Sequence, residues 1–369
     1  VSAAVSAAPR AELQAGVRLR ELRGVALRAS AAVYPADLLG QTARFDAPRA
    51  YEELFGADWR EQLASAGREV DHVERELGVR TREWRRGTVL SNVELGARAA
   101  TKCLERAGWR AEDVDVLAVA TSTPEHATKC FAAQIGGALG SRAAAIDIRG
   151  GGAGGIDAWI AATLYLHAGA RRALVIAVEA ASPWLGPASG TSALLYGDGA
   201  AALALESQET AAGLALALQV RVDVAGAPFS VPGELPPRVD AGGHVETELY
   251  RFRAPDREYR AGLARVWSEF AQRLSDELGN APPRSLLVPY AVTREQVQRC
   301  AAVFGADPSF ALEHLLARGS LGCAGPLAAL AEALERADAR RFESVVALAV
   351  GGGVRCAGLH WILTEGGRT

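Results

Sequence analysis

The sequence predicts an α/β protein of two pseudo-symmetric halves, stacked as a five-layered α/β/α/β/α sandwich. Three observations predict it. Short apolar runs recur in two pairs, the members of each about 60 residues apart. Helical stretches lie between the members of each pair. A glycine cluster precedes the second helix in both halves.

Val1 to Pro9 is rich in Ala and Ser but has neither a basic region nor a strong apolar run, so a tail is expected there rather than a signal peptide. Ala47 to Arg86 is charged and helical in character and is expected to cap the entrance to a site. Asp115 to Val119 is short and apolar, as a buried strand requires. Gln134 to Gly140 reads as the end of a helix stopped by glycine. Ala145 to Ile148 is strand-like. The glycines of 150–155 follow, then a helical run from Asp157 to Ala168, then the strand Ala173 to Val178.

The first half, residues 1–207, is expected to end near Ser207, after Tyr196-Gly197-Asp198-Gly199-Ala200. The second half, 208–369, opens with a Pro- and Gly-rich excursion from Val224 to Asp256 that is expected to run over the site. It then repeats the first half's pattern. Ser285 to Pro289 is a strand, Glu295 to Phe304 a helix, and Gly319 to Gly325 a glycine turn. Pro326 to Ala337 is a second helix and Val345 to Val350 the closing strand.

Composition narrows the function classes. Forty Lys and Arg against 43 Asp and Glu leave a net charge of −3, with Arg interleaved among acids, which argues against nucleic-acid binding. The five cysteines form no CxxC pair, and the six histidines do not cluster, so neither a disulfide framework nor a metal site is expected. No uncharged apolar stretch is long enough to span a bilayer, so no membrane partner and a cytoplasmic location are expected. Methionine is absent, which nothing here explains.

These motifs together resemble β-ketoacyl-ACP synthase III and its polyketide-pathway acyltransferase relatives, over most of the chain from Arg23 onward. Leu77-Gly78-Val79-Arg80-Thr81-Arg82 resembles the family's T-G-I-R-x-R, and Tyr196 to Ala200 its F-G-D-G-A. Gly351-Gly352-Gly353 matches its C-terminal G-G-G. The resemblance implies a thiolase fold, a homodimer, and acyl carrier protein or coenzyme A thioesters as substrates, with no permanently bound cofactor.

It also implies a Cys-His-Asn site that this chain has lost. The family's Cys sits in D-[LIV]-x-x-x-C-A-G; here Asp147-Ile148-Arg149-Gly150-Gly151-Gly152-Ala153-Gly154 puts Gly152 in its place. Tyr290 stands for the His of V-P-H-Q-A-N, and Ser320 for the Asn of G-N-T-S-A-A. Glycine offers no nucleophile, and a tyrosine of ordinary pKa is a poor base at neutral pH. The family's oxyanion hole consists of backbone N–H groups, mapping to Gly152 and Gly352, and such donors are independent of side chain. The resemblance places the loop of His126 and Cys130 at the dimer interface, lining the partner's acyl pocket. It sets Cys323, one turn past Ser320, by the substrate pocket, although an isolated Cys there reads as core packing. His72 and Glu76 stand where the family holds the adenine of coenzyme A, and an acidic Glu76 favours a carrier-borne pantetheine over the free coenzyme. The expectation is acyl transfer without a covalent intermediate; the other reading is a non-catalytic protein that binds a carrier-borne chain or an active ketosynthase. The space vacated by the Cys side chain is expected to admit a water or part of a substrate.

Overall fold

The computed structural model describes residues 11–65, 67–126, 128–224, 257–279, 284–336, 338–352 and 355–363. The expected excursion over Val224 to Asp256 lies, beyond its first residue, outside them, as do Val1 to Pro9 and Gly353.

Two mixed sheets carry the chain. The first is ordered β3 (Val25–Val33), β9 (Asp198–Ser207), β8 (Arg172–Ala180), β6 (Val116–Ala120), β7 (Ala144–Ile148). β6 runs parallel to both β7 and β8, while β9 is antiparallel to β8 and β3. β6 and β8 are covered on both faces, which is why their sequences are unbroken apolar runs rather than alternations.

The second sheet is ordered β10 (Gly213–Val224), β13 (Arg355–Ile362), β12 (Ser344–Gly351), β11 (Ser285–Pro289). β11 and β12 are parallel, as β6 and β8 are. Residues N-terminal to the resemblance complete this sheet. β1 (Ala11–Leu13) and β2 (Val17–Leu22) both add antiparallel to β10, so the start of the chain joins the second half.

Helices fill the remaining layers. Outside the first sheet, α4 (Asn92–Ala107) and α5 (Phe131–Leu139) pack on Leu117, Val119, Ile176 and Val178. Between the sheets lie α6 (Gly154–His167) and α10 (Gly325–Leu334), whose Ile156, Trp159, Leu327 and Leu330 meet Val175, Leu203, Val288 and Ala347. Outside the second sheet, α7 (Arg257–Leu278) and α8 (Arg294–Phe304) cover Leu287, Val346 and Leu348. These are the five expected layers.

The duplication fails at one element. In the first half β7 follows α5 and forms the sheet edge. In the second half the corresponding stretch is the helix α9 (Ser309–Arg318), so the second sheet ends at β11 among the described residues. The cap is built from α1 (Pro35–Leu39), α2 (Ala47–Phe55), α3 (Trp59–Ser65) and the small ribbon β4 (Arg44–Asp46) with β5 (Thr81–Glu83). Phe45, Tyr51, Trp59 and Trp84 form its own apolar cluster.

Candidate active site

The glycine turns of the two halves have the same backbone form. Gly151 has φ +55° and Gly322 φ +52°, a region that side chains disfavour, and each turn feeds a buried helix, α6 or α10. The match puts Gly152 opposite Cys323 across the pseudo-symmetry. At Cys323 the backbone N–H donates to the buried carboxylate of Glu179 at 3.2 Å. At Gly152 the N–H makes no hydrogen bond among the described residues. One turn thus holds an internal carboxyl group; the other leaves its donor free at a helix N-terminus.

Close packing surrounds the free donor. The Gly150–Gly152 turn lies directly on Gly351 and Gly352: a Cβ on Gly151 would come 2.3 Å from the Gly352 N, and one on Gly351 1.7 Å from the Gly150 O. A Cβ on Gly152 would stand 2.5 Å from the Val350 O and 2.8 Å from Cζ of Tyr290. The expectation of a water-sized space at Gly152 is therefore corrected. The phenol end of Tyr290 fills it.

Tyr290 follows β11, with its N–H bonded to the Leu348 O at 2.7 Å, and its ring touches both the inter-sheet core and the cluster outside the second sheet. Desolvation by burial, then the neighbouring Tyr196, pushes its pKa far up; Ser320 acts in the opposite sense. Ser320 is itself buried beside the Tyr290 hydroxyl, and its Oγ completes no hydrogen bond among the described residues. Ser320 is held by its backbone: its N–H donates to the Leu195 O at 2.7 Å and its O accepts from Gly197 N at 3.0 Å. The Tyr196-Gly197 and Gly319-Ser320 loops are thereby locked edge to edge. Gly152, Tyr290, Ser320 and Gly352 are thus brought together.

The other sequence candidates lie elsewhere. His126 and Cys130 are exposed on the loop between β6 and α5, and Cys130 Sγ lies 3.6 Å from Asp147 Oδ1. Cys323 is core, not pocket wall. It is fully buried, its Sγ faces the Val178 O at 3.7 Å, and burial and then Glu179 push its thiol pKa well up, which makes it inert. In the cap, His72 is buried beside Tyr51 and bonded to the Glu69 O at 2.8 Å, while Glu76 is exposed. A groove of about 240 Å³ lined by Val33, Asp37, Leu38 and Lys102 opens near α1 and α4, away from the glycine turns.

Two residues escaped the sequence reading. Glu179, at the end of β8, accepts from Thr123 Oγ1 at 2.8 Å and Ser122 N at 3.2 Å as well as from Cys323 N. Desolvation raises its pKa, and these donors oppose the rise. An acid closing the apolar run Val175-Ile176-Ala177-Val178 was its only signal. Asp147, which opens the motif containing Gly152, caps α5: its carboxylate accepts from Phe131 N at 2.8 Å and Ala132 N at 2.7 Å.

Two doubly wound halves, with glycine turns meeting between them, define the thiolase class of condensing-enzyme folds. Comparison with known proteins agrees. The family model for 3-oxoacyl-[acyl-carrier-protein] synthase III matches residues 146–223. A β-ketoacyl-[acyl-carrier-protein] synthase III of Sinorhizobium medicae is 31% identical over 271 residues, 71% of this chain and 81% of that protein. Its Rhizobium meliloti namesake is 42% identical over 123 residues, a match covering 33% of this chain and only 38% of the relative's length. The structure of β-ketoacyl-[acyl-carrier-protein] synthase III from Thermus thermophilus superposes with a TM-score of 0.71 at 21% identity, over 92% of this chain and 99% of that one. The chain belongs to the β-ketoacyl-ACP synthase III family of condensing enzymes. Among the described residues, no helix is long and apolar enough to cross a membrane and no side-chain cluster could hold a metal ion.

Proposed function

We propose that this protein acts on acyl or β-ketoacyl thioesters, carried by acyl carrier protein or coenzyme A, in fatty-acid or polyketide-type biosynthesis. It transfers the acyl group without an acyl-enzyme. The observation that carries this reading is the free N–H of Gly152 at the head of α6, in a position without a nucleophile and with the Gly352 backbone against the same turn. The thioester carbonyl oxygen would lie on the Gly152 and Gly352 N–H groups. The hydroxyl or amine of a second substrate adds to the carbonyl carbon, the C–S bond breaks, and the thiolate leaves with the acceptor's proton as a free thiol. Positioning supplies the acceleration, as effective molarity does in intramolecular reactions. Tyr290, kept neutral by its raised pKa, and Ser320 serve as hydrogen-bond donors. The ring of Tyr290 has to swing off Gly152 for the carbonyl to reach the N–H.

That same ring supports a second reading: a non-catalytic ketosynthase homologue that binds a carrier-borne chain or an active ketosynthase. Turnover by the purified protein separates the two. Transfer from acyl-ACP or acyl-CoA to added amine or alcohol acceptors, lost in Tyr290→Phe or Ser320→Ala, supports the enzyme. Binding of acyl-ACP without turnover over a broad acceptor panel supports the homologue.

We also propose that the protein is a homodimer. Among the described residues, β7 has one side of its backbone unpaired at the edge of the first sheet, with Ile146 and Ile148 only partly buried.

A further inference from the structure

Asp157 and Arg355 lie 198 residues apart in sequence and meet between the halves. Asp157 sits in the first turn of α6, just after the glycine turn. Arg355 opens β13, immediately after the loop that carries Gly351 and Gly352. Asp157 is 5% exposed, and its Oδ1 accepts from Arg355 Nη2 at 2.8 Å and from Gln219 Nε2 of β10 at 2.6 Å. Its second oxygen, Oδ2, is buried with no hydrogen-bond partner among the described residues and lies against Gly150, 2.6 Å from where a Cβ there would be. Burying the Asp157 carboxylate costs desolvation, which Arg355, itself partly exposed, and Gln219 offset. The ion pair joins the two chain segments whose backbones pack as Gly151 on Gly352. Trp159 of α6 and Trp361 of β13 pack with ring centroids 5.1 Å apart, a second tie between the same elements.

We infer that Asp157 and Arg355 are a positioning pair, which holds the Gly150–Gly152 turn against Gly351–Gly352 and so sets the spacing of the two backbone donors. This rests on the proposed non-covalent reading for its catalytic consequence, but not for its physical test. The pair acts through the glycine turns and touches no reacting atom.

The test is hydrogen–deuterium exchange on the full chain, comparing wild type with Asp157→Asn, Arg355→Gln and the double variant. The expected result is exchange at least about tenfold faster in peptides covering 150–153 and 351–352, with 116–120 of β6 unchanged. That is a local opening and not global unfolding. The double variant should add little to either single, because both remove one interaction. Arg355→Lys should restore part of the protection. Unchanged exchange at both turns, or an even rise across the protein, would overturn the inference. Should Asp157→Asn fail to fold, Arg355→Gln carries the test alone, since that side chain is 37% exposed. If the wild type turns over thioesters, both singles should lower kcat more than they raise KM. An inactive wild type defeats the enzyme reading and leaves the exchange result standing.

Discussion

At the residue scale, the site is decided by what stands on Gly152. Its neighbours leave no room for a Cβ, so Gly152→Ala should destabilise the protein by roughly 1–3 kcal/mol, the usual cost of overpacking. Part of that strain comes from the Tyr290 ring and part from the Val350 O, which cannot retreat. A double-mutant cycle by urea denaturation should therefore show favourable coupling between Gly152→Ala and Tyr290→Ala. Strict additivity would mean that the ring does not press on position 152. Tyr290→Phe is the functional counterpart, since it keeps the ring and deletes the hydroxyl. If that hydroxyl bonds the transition state, turnover should fall about ten- to a hundredfold, the worth of one such hydrogen bond.

Asp198 makes a residue-scale prediction about pH. Burial pushes its pKa up to about 6, against the opposing pull of Ser182 and the Arg85 N–H. A carboxyl raised in the folded state stabilises the fold when protonated, and that contribution is lost as pH rises from about 4 to about 6. The two-unit window corresponds to roughly 2–3 kcal/mol. The stability difference between wild type and Asp198→Asn should shift by that order across the window, in favour of Asn at the higher pH. A flat difference would show that the carboxyl titrates normally.

At the scale of elements, legibility followed burial. β6, β8, β11 and β12 were readable because strands covered on both faces must be apolar throughout. The glycine turns were readable because φ near +50° leaves glycine little competition. α9 itself was there to be read, since Asp307-Pro308 is a helix start, where the Ser309 N–H donates to Asp307 Oδ1 at 2.9 Å, and Gly319 is a stop. What the sequence did not show is that this helix stands where the first half has β7. That Gly152, Tyr290, Ser320 and Gly352 would come together was legible through the resemblance, but their packing was not. That Tyr290 covers Gly152, and that Asp157 reaches Arg355, are tertiary facts without a local signature. Asp147 shows the same gap, because its role as cap to α5 depends on a strand and a helix meeting. Asp147→Ala should cost about 1–2 kcal/mol in urea denaturation and raise exchange in the first turn of α5. Loss of stability without that local change would place its role elsewhere.

At the scale of the whole molecule, two halves share a core and, among the described residues, leave β7 as an open edge. If two copies pair there, Ile146→Lys should yield monomers by light scattering at micromolar concentration, with the fold retained by circular dichroism. A dimer that survives the substitution would move the interface. The larger claim is that a condensing-enzyme fold can handle thioesters after losing its nucleophile, with backbone donors kept and the vacated space filled by a tyrosine. Intact-mass spectrometry of the protein incubated with acyl-ACP or acyl-CoA, with and without an acceptor, tests this most directly. The account predicts unmodified protein throughout, while acyl transfer to the acceptor proceeds. A stable acyl adduct, above all one mapped to Cys130, Ser320 or Cys323, would contradict it and name a nucleophile that has moved.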